Sequence, residues 1–338
     1  MKAGSDIVLS VLDLAPIREG GTVAEAFRNT LGLAQQAEKW GYRRFWLAEH
    51  HNMTGIASAA TAVLIGHVAG NTQTIRIGSG GIMLPNHAPL VIAEQFGTLE
   101  TLYPGRIDLG LGRAAGCDPL TAHVLGRSPH AGDRFPELVR ELKSFLGPVL
   151  PNQRVQAVPG GGTQVPIWLL GSSTFSAHLA ATQGLPFAFA GQFAPQMMLE
   201  ALEVYREYFQ PSTTLDKPYA MVGLPVLAAN TDEEAEYLAS SARQRILRLI
   251  RGQPIFTPPP VASMENLWSP GEQRAVESHL GAAIIGSPGT VERKLREFLQ
   301  LTQADELILH SDFYRLEDRL LSYEIVAGLF LKPLAGKK

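Results

Sequence analysis

Cysteine is almost absent from this chain of 338 residues, which contains Cys117 and no other. A single thiol excludes an internal disulfide framework and any metal site built only from cysteine, and it fits a reducing compartment. We expect Cys117 to be an inert thiol near a loop. The first residues, up to Asp13, lack the apolar core and cleavage pattern of a secretory signal, so we expect a cytoplasmic protein.

Long apolar runs and basic patches are also missing. No uncharged apolar stretch reaches the roughly 18 residues that a membrane-spanning helix needs, so we expect no membrane partner. Lys plus Arg number 29 and Asp plus Glu number 32, which gives a formal net charge of −3. No basic run is longer than the pair Lys337-Lys338, and we therefore expect no nucleic-acid partner.

The chain does contain a regular alternation of two patterns. Eight short apolar runs are separated by segments with helical spacing, which is typical of a parallel sheet covered by helices. Eight such units predict a single (β/α)8 TIM barrel of the α/β class over residues 1-338, because a doubly wound sheet normally has fewer strands. The apolar runs cover residues 7-14, 43-49, 75-84, 106-112, 166-171, 185-190, 219-229 and 305-311.

Two segments are longer than a barrel requires. Residues 113-132 follow the fourth predicted strand, and residues 252-288 follow the seventh. Long segments within a compact domain are usually functional, so we expect 252-288 to be a partly ordered insertion over the mouth of the barrel. The alternative is an irregular surface insertion without a role in the site.

Several classes of barrel chemistry lack the residues they need. No lysine lies in or at the end of a predicted strand, which excludes a Schiff-base lysine in the barrel. The adjacent His50 and His51 would point to opposite sides of an extended chain, and the usual zinc motifs are missing, so we predict no metal site. The G-x-S-x-G turn of many hydrolases is missing as well.

Candidate site residues are found where the strands end, because active sites of these barrels lie at the C-terminal ends of the strands. The fifth strand leads from Gly171 directly into a helix that begins with several hydroxyl side chains. Free N–H groups at this helix start, with Arg113 at the end of the fourth strand as a charged partner, predict a phosphate site. The hydroxyls belong to Ser172, Ser173 and Ser176, and the alternative is simple N-capping by one of these serines.

Glycines interrupt the third predicted strand. A glycine inside a core strand is destabilising unless a ligand or another backbone comes close. The segment GSGGIMLP at 78-85 includes Gly80 and Gly81. We interpret these glycines as the resting place of a planar ligand.

Four motifs in this order resemble the bacterial luciferase-like flavin-dependent monooxygenases over essentially the whole chain. They are FWLAEHH at 45-51, GSGGIMLP at 78-85, PGRIDLGLGR at 104-113, and GSS at 171-173 followed by LAATQGLPF. The resemblance implies a barrel that binds FMN, received as reduced FMN from a separate flavin reductase. It also implies that one oxygen atom of O2 is inserted into a small organic substrate.

The resemblance also assigns roles to individual residues. Arg113, Ser172, Ser173 and Ser176 match the phosphate-binding positions of the family, and Gly80 and Gly81 match a pair joined by a non-prolyl cis peptide beneath the flavin ring. His50 matches the catalytic histidine, and Glu49 would orient either His50 or the strand end. Luciferase itself has a reactive cysteine where this chain has Gly112, so the resemblance does not imply light emission.

The leading hypothesis is a two-component, FMN-dependent monooxygenase that acts on an apolar substrate such as an aldehyde. A deazaflavin-dependent hydride-transfer enzyme of the same superfamily, with His50 as its base, is the first alternative. A flavin-binding protein without catalytic activity is the second. Family members are usually dimers, so we expect a homodimer by analogy.

Overall fold

The apolar runs form parallel strands that close into a barrel in the computed structural model, which describes residues 7–128 and 130–331. In chain order the strands are β1 (Val8–Asp13), β2 (Arg44–Leu47), β3 (Arg76–Ser79), β4 (Ile82–Met83), β5 (Ile107–Gly112), β6 (Ile167–Gly171), β7 (Phe187–Ala190), β8 (Ala220–Ala228), β9 (Ile284–Gly286) and β10 (Glu306–His310). Eight of them pair in the order β1-β2-β3-β5-β6-β7-β8-β10, and β10 pairs with β1 to close the ring. The predicted (β/α)8 TIM barrel is therefore confirmed.

Helices alternate with these strands, as the helical spacing predicts. Helix α1 illustrates how local sequence sets the bounds: Thr22 accepts a hydrogen bond from the Glu25 N–H at its start, and Gly41 ends it in the left-handed region at φ 88°. The helices are α1 (Val23–Trp40), α2 (Thr61–Gly70), α3 (Pro89–Leu102), α4 (Pro119–Val124), α5 (Phe135–Leu146), α6 (Thr174–Thr182), α7 (Met198–Glu207), α8 (Asp232–Ile250), α9 (Pro270–His279), α10 (Pro288–Thr302) and α11 (Leu316–Phe330). In the part of the chain that the structure describes, none of these helices is long and apolar enough to cross a membrane.

The third predicted strand is not continuous. Strand β3 ends at Ser79 and β4 begins at Ile82, and the Gly80–Gly81 peptide between them is cis. A Cβ atom on Gly81 would lie 2.8 Å from the carbonyl oxygen of Gly110, so the close approach of β5 accounts for this glycine. At Gly81 a neighbouring backbone therefore leaves no room for a side chain, and the planar ligand over these glycines stays a prediction.

Ion pairs fill the barrel interior at the N-terminal ends of the strands. Arg44 donates to Asp108 (2.8 Å) and to Glu306 (2.8 Å), and Arg76 donates to the other Asp108 oxygen (2.6 Å). The side chains of Asp108 and Glu306 are fully buried. Two guanidinium groups therefore compensate two buried carboxylates at this end of the barrel.

The two long segments contain regular structure of their own. Residues 113-132 include α4, and residues 252-288 include α9 and β9, which extends the sheet beside β8. Near its beginning the second segment donates from Ile255 N–H to Thr54 O (3.1 Å) and from Thr257 N–H to Ile17 O (3.1 Å). It thus lies against the loops that follow β1 and β2, at the C-terminal end of the barrel.

Candidate active site

Two adjoining chambers open at the C-terminal ends of the barrel strands, the end at which this fold carries its chemistry. The first chamber lies beside the ends of β5, β6 and β7, and its walls include Arg113 and the serines that begin α6. The second chamber lies beside the ends of β2, β8 and β10, and its walls include His50 and His310. The residues that line both chambers are Leu12, Gly80, Met83, Gln192 and Phe193.

The start of α6 forms one wall of the first chamber. Ser173 is the N-cap residue, but its side chain makes no capping hydrogen bond, so the alternative of simple capping by this serine is wrong. Among the described residues, the hydroxyls of Ser172, Ser173 and Ser176 make no hydrogen bond, and the first turn of α6 has free N–H groups. Such a wall can donate several hydrogen bonds to an anion.

Arg113 faces the same wall. Its guanidinium lies 4.3 Å from the centre of the Phe175 ring, a cation–π contact that holds it beside α6. In the ranges 7–128 and 130–331 no carboxylate pairs with Arg113, whereas the two arginines at the base of the barrel are both paired. Arg127 supports the position by donating to the Arg113 carbonyl oxygen (2.9 Å). An unpaired cation beside three hydroxyls fits a phosphate group.

Gly80 and Gly81 line the first chamber, and the peptide between them is cis, as the family resemblance implies. Gly112 lines this chamber too, and a Cβ atom there would lie 2.8 Å from the sulfur of Met83. The Met83 side chain therefore takes the space that a larger residue at 112 would need. Cys117 is half-buried, and burial raises the pKa of its thiol, which opposes thiolate formation.

Glu49 is buried and joins three segments rather than contacting His50. Its carboxylate accepts hydrogen bonds from His51 Nε2 (2.8 Å), His87 Nε2 (2.9 Å) and the Met83 N–H (3.0 Å). Burial alone would raise the pKa of Glu49, but these hydrogen bonds outweigh it and lower the pKa. These hydrogen bonds join Glu49 to the β4 strand and to the turn after it, and its role in the site stays a prediction.

The same three side chains could in principle hold a cation. The ligand atoms of Glu49, His51 and His87 all lie within 4.8 Å of one another. One carboxylate oxygen already accepts from both imidazoles, so hydrogen bonds account for the arrangement without an ion. The expectation that the protein uses no metal stays a prediction.

His50 lies in the wall of the second chamber, and its ring nitrogen Nδ1 donates to the carbonyl oxygen of Gly116 (3.3 Å). When the ring is neutral, this hydrogen bond leaves Nε2 as the basic nitrogen. Burial lowers the pKa of His50, so the imidazole is neutral near pH 7 and can accept a proton. His51 faces Glu49 instead, as expected for adjacent residues that point to opposite sides of the chain.

The second chamber also contains a buried ion pair that no sequence motif identified. Arg245 on α8 donates to Asp312 (2.7 Å) and to the carbonyl oxygen of Ile255 (3.2 Å). His310 at the end of β10 lies beside this pair, with its Nε2 atom 3.9 Å from an Asp312 oxygen. Most of the remaining wall is apolar, and Leu249, Ile255 and Leu280 belong to it.

Strand ends are the signal that points to several of these residues. His310 is the last residue of β10, Asp312 lies just beyond it, and Gln192 follows β7, so each lies where the fold places functional side chains. Arg245 comes from the middle of a helix, and no local pattern separates it from a surface arginine. His87 reaches Glu49 through the turn after β4, a contact between residues far apart in the sequence.

The fold and the two chambers define an α/β-barrel protein with a ligand site at the C-terminal ends of its strands. Comparison with known proteins makes this class specific: the model of the family described as "Luciferase-like monooxygenase" matches residues 8–306. The chain belongs to the luciferase-like monooxygenase family.

Several relatives match along nearly their full lengths. The uncharacterised protein YvbT of Bacillus subtilis (strain 168) is 57% identical over 327 residues, which cover 96% of this chain and 97% of the relative. A luciferase-like monooxygenase of Escherichia coli (strain K12) is 52% identical and covers 94% of this chain and 96% of its own. The crystal structure of apo-MsnO8 superposes with a TM-score of 0.90 at 36% identity, covering 97% of this chain and 100% of that one.

Proposed function

We propose that this protein is an FMN-dependent monooxygenase that uses reduced FMN and O2 to oxidise an apolar organic substrate such as an aldehyde. The observation that carries the proposal is Arg113, an unpaired cation beside three hydroxyls that have no hydrogen-bond partner in the described chain. In this proposal Arg113, Ser172, Ser173 and Ser176 hold the phosphate of FMN. Gly80 and Gly81 then lie beneath its ring system, between the two chambers.

The chemistry divides between the two chambers. Reduced FMN, when bound, supplies the two electrons that activate O2; for an aldehyde the balance is aldehyde plus FMNH2 plus O2 giving carboxylic acid, FMN and water. His50, neutral near pH 7, accepts and returns a proton at Nε2 in the second chamber. The apolar wall around it excludes water and receives the body of the substrate.

The proposal includes partners that the family resemblance implies. A separate flavin reductase supplies reduced FMN, and two copies of the chain form a homodimer. A cytoplasmic location agrees with the single thiol, since reducing compartments keep such a thiol free.

Anaerobic titration with reduced FMN tests the proposal, with the reduced deazaflavin cofactor as the competing ligand. We expect reduced FMN to bind and, once O2 and a reductase are added, aldehyde oxidation to follow. Tighter binding of the deazaflavin, with hydride transfer in place of oxygen uptake, would support the first alternative instead. Binding of FMN without turnover of any substrate in a broad screen would favour a non-catalytic flavin-binding protein.

A further inference from the structure

His310 lines the second chamber, and neither of its ring nitrogens has a hydrogen-bond partner among the described residues. Its Nδ1 atom is buried and has no hydrogen-bond partner among the described residues, and its Nε2 atom is 3.9 Å from Asp312, too far for a hydrogen bond. Leaving a buried polar atom unpaired is destabilising. The His310 side chain is 13% exposed and lines the second chamber, so a bound molecule can contact it there.

The charges at this chamber cancel. Arg245 and Asp312 form a close ion pair at 2.7 Å, and their side chains are only 6% and 16% exposed. Burial lowers the pKa of His310, and it does the same for His50 and His279, which also line the chamber. Burial alone would raise the pKa of Asp312, but Arg245 lowers it, so the aspartate stays ionised. The lining therefore offers one positive charge that is already matched by one negative charge.

The rest of the wall is apolar. Side chains from four different parts of the chain supply it, namely Leu14 after β1, Met53 after β2, Leu227 on β8 and Leu249 on α8. A charged group placed here would lose its hydration without gaining an unmatched counter-charge, which is costly. An apolar molecule with one neutral polar group would lose little hydration free energy on entering the chamber.

We propose that the second chamber binds an uncharged substrate with an apolar body and one hydrogen-bonding group, and that His310 is the residue that binds this polar group. Arg245 and Asp312 are positioning residues that hold the end of β10 and α8 together around it. The inference rests on the proposed function, because it places the substrate of that reaction opposite the flavin site. The binding role of His310 differs from the proposed role of His50, which moves a proton.

Three probes with the same ten-carbon chain test the inference directly: 1-decanol, decanoate and decylamine. Calorimetric titration of the full-length, flavin-free protein at pH 7.5 measures the dissociation constant of each probe. We expect 1-decanol to bind at least about tenfold more tightly than either charged probe. Tighter binding of decanoate or decylamine, or no binding of 1-decanol, would overturn the inference.

Variants of His310 test the residue itself. We expect His310→Leu to weaken 1-decanol binding by about fivefold, the loss of one hydrogen bond, and His310→Gln to restore most of the affinity. The matched control is His67→Leu, which alters an exposed histidine on α2 outside both chambers and should leave the affinity unchanged. Wild-type affinity in His310→Leu would contradict the assignment.

A reduced-FMN titration of the same variants separates this inference from the proposed function. Binding of 1-decanol without binding of reduced FMN would overturn the proposed function and support the chamber assignment. Binding of reduced FMN without binding of 1-decanol would overturn the chamber assignment alone. Unchanged reduced-FMN affinity in His310→Leu also shows that this variant is folded.

Discussion

The hydrogen bond from His50 Nδ1 to Gly116 O determines which ring nitrogen can exchange a proton. Glu49, the neighbouring residue, turns away and connects His51, His87 and the N–H of Met83. At the scale of single residues, a backbone carbonyl therefore orients the His50 ring, and the carboxylate next to it joins the loops that follow β2 and β4. The two residues have separate roles, and their variants should behave differently.

Replacing His50 tests its role as the proton-transfer group. We expect His50→Gln to lower turnover by about 100-fold or more, because general acid–base groups contribute on this scale. The affinity for reduced FMN should stay the same, since His50 lines the second chamber and does not line the first. Steady-state oxygen uptake with a reductase measures the first quantity, and anaerobic titration measures the second.

His67→Gln, which changes an exposed histidine on α2, serves as the control for this variant. Turnover equal to wild type in His50→Gln would show that His50 moves no proton in the rate-limiting step.

Strands and helices were predictable because their patterns are local. The apolar runs and the helical spacing place all eight barrel strands, and only the third differs, since Gly80 and Gly81 divide it into β3 and β4. The serines at the start of α6 were predictable for the same reason: a strand end, a row of serines and a helix start are consecutive in the sequence. The resemblance to a known family then added the cis peptide, which the structure contains, and a role for His50 that stays a prediction.

The second chamber was not predictable in the same way. Arg245 reaches Asp312 from the interior of α8, and no local sequence pattern distinguishes it from any other arginine on a helix. His310 and Asp312 lie at a strand end, but the sequence does not show that an imidazole nitrogen will be buried without a partner. Contacts across the barrel depend on packing between distant segments, which periodicity does not encode.

The ion pairs at the base connect strands that are far apart in the chain. Asp108 on β5 accepts from Arg44 on β2 and from Arg76 on β3. We expect Asp108→Asn to lower the free energy of unfolding by about 3 kcal/mol, because two guanidinium groups would lose a buried counter-charge. Equilibrium denaturation in urea measures this change.

Asp133→Asn is the matched control for the base of the barrel, because the Asp133 side chain is 78% exposed. The control should change the free energy of unfolding by no more than about 0.5 kcal/mol, as for most surface substitutions. The ion pairs would not stabilise the barrel if Asp108→Asn lowered the free energy of unfolding no more than the control does.

At the scale of the whole molecule, the barrel is closed at one end by paired charges and is open to ligands at the other. The open end holds an unpaired cation in the first chamber and a matched ion pair in the second. In the function that we propose, this contrast would separate the binding of an anionic cofactor from the binding of an uncharged substrate. Gly80, Met83 and Gln192 lie at the border, where the two ligands would meet.

The buried histidines make the stability of the whole protein depend on pH. Burial lowers the pKa of His50, His279 and His310 in the folded state, whereas an unfolded histidine titrates near about 6.5. Below that pH the unfolded chain binds more protons than the folded one, so stability is present above it and is lost as pH falls. We expect a smaller free energy of unfolding at pH 5.5 than at pH 7.5, measured by urea denaturation.

His310→Gln should show a weaker pH dependence than wild type, because it removes one of the three groups. Equal stability of wild type at both pH values would contradict the account of these histidines.

The central claim is that Arg113 and the serines of α6 hold the phosphate of FMN. The most direct test is an anaerobic titration that compares reduced FMN with reduced riboflavin, which lacks the phosphate, in wild type and in Arg113→Met. We expect wild type to prefer reduced FMN by about 10- to 100-fold, and Arg113→Met to lose most of that preference. Equal affinity of wild type for the two flavins, or an undiminished preference in Arg113→Met, would contradict the claim.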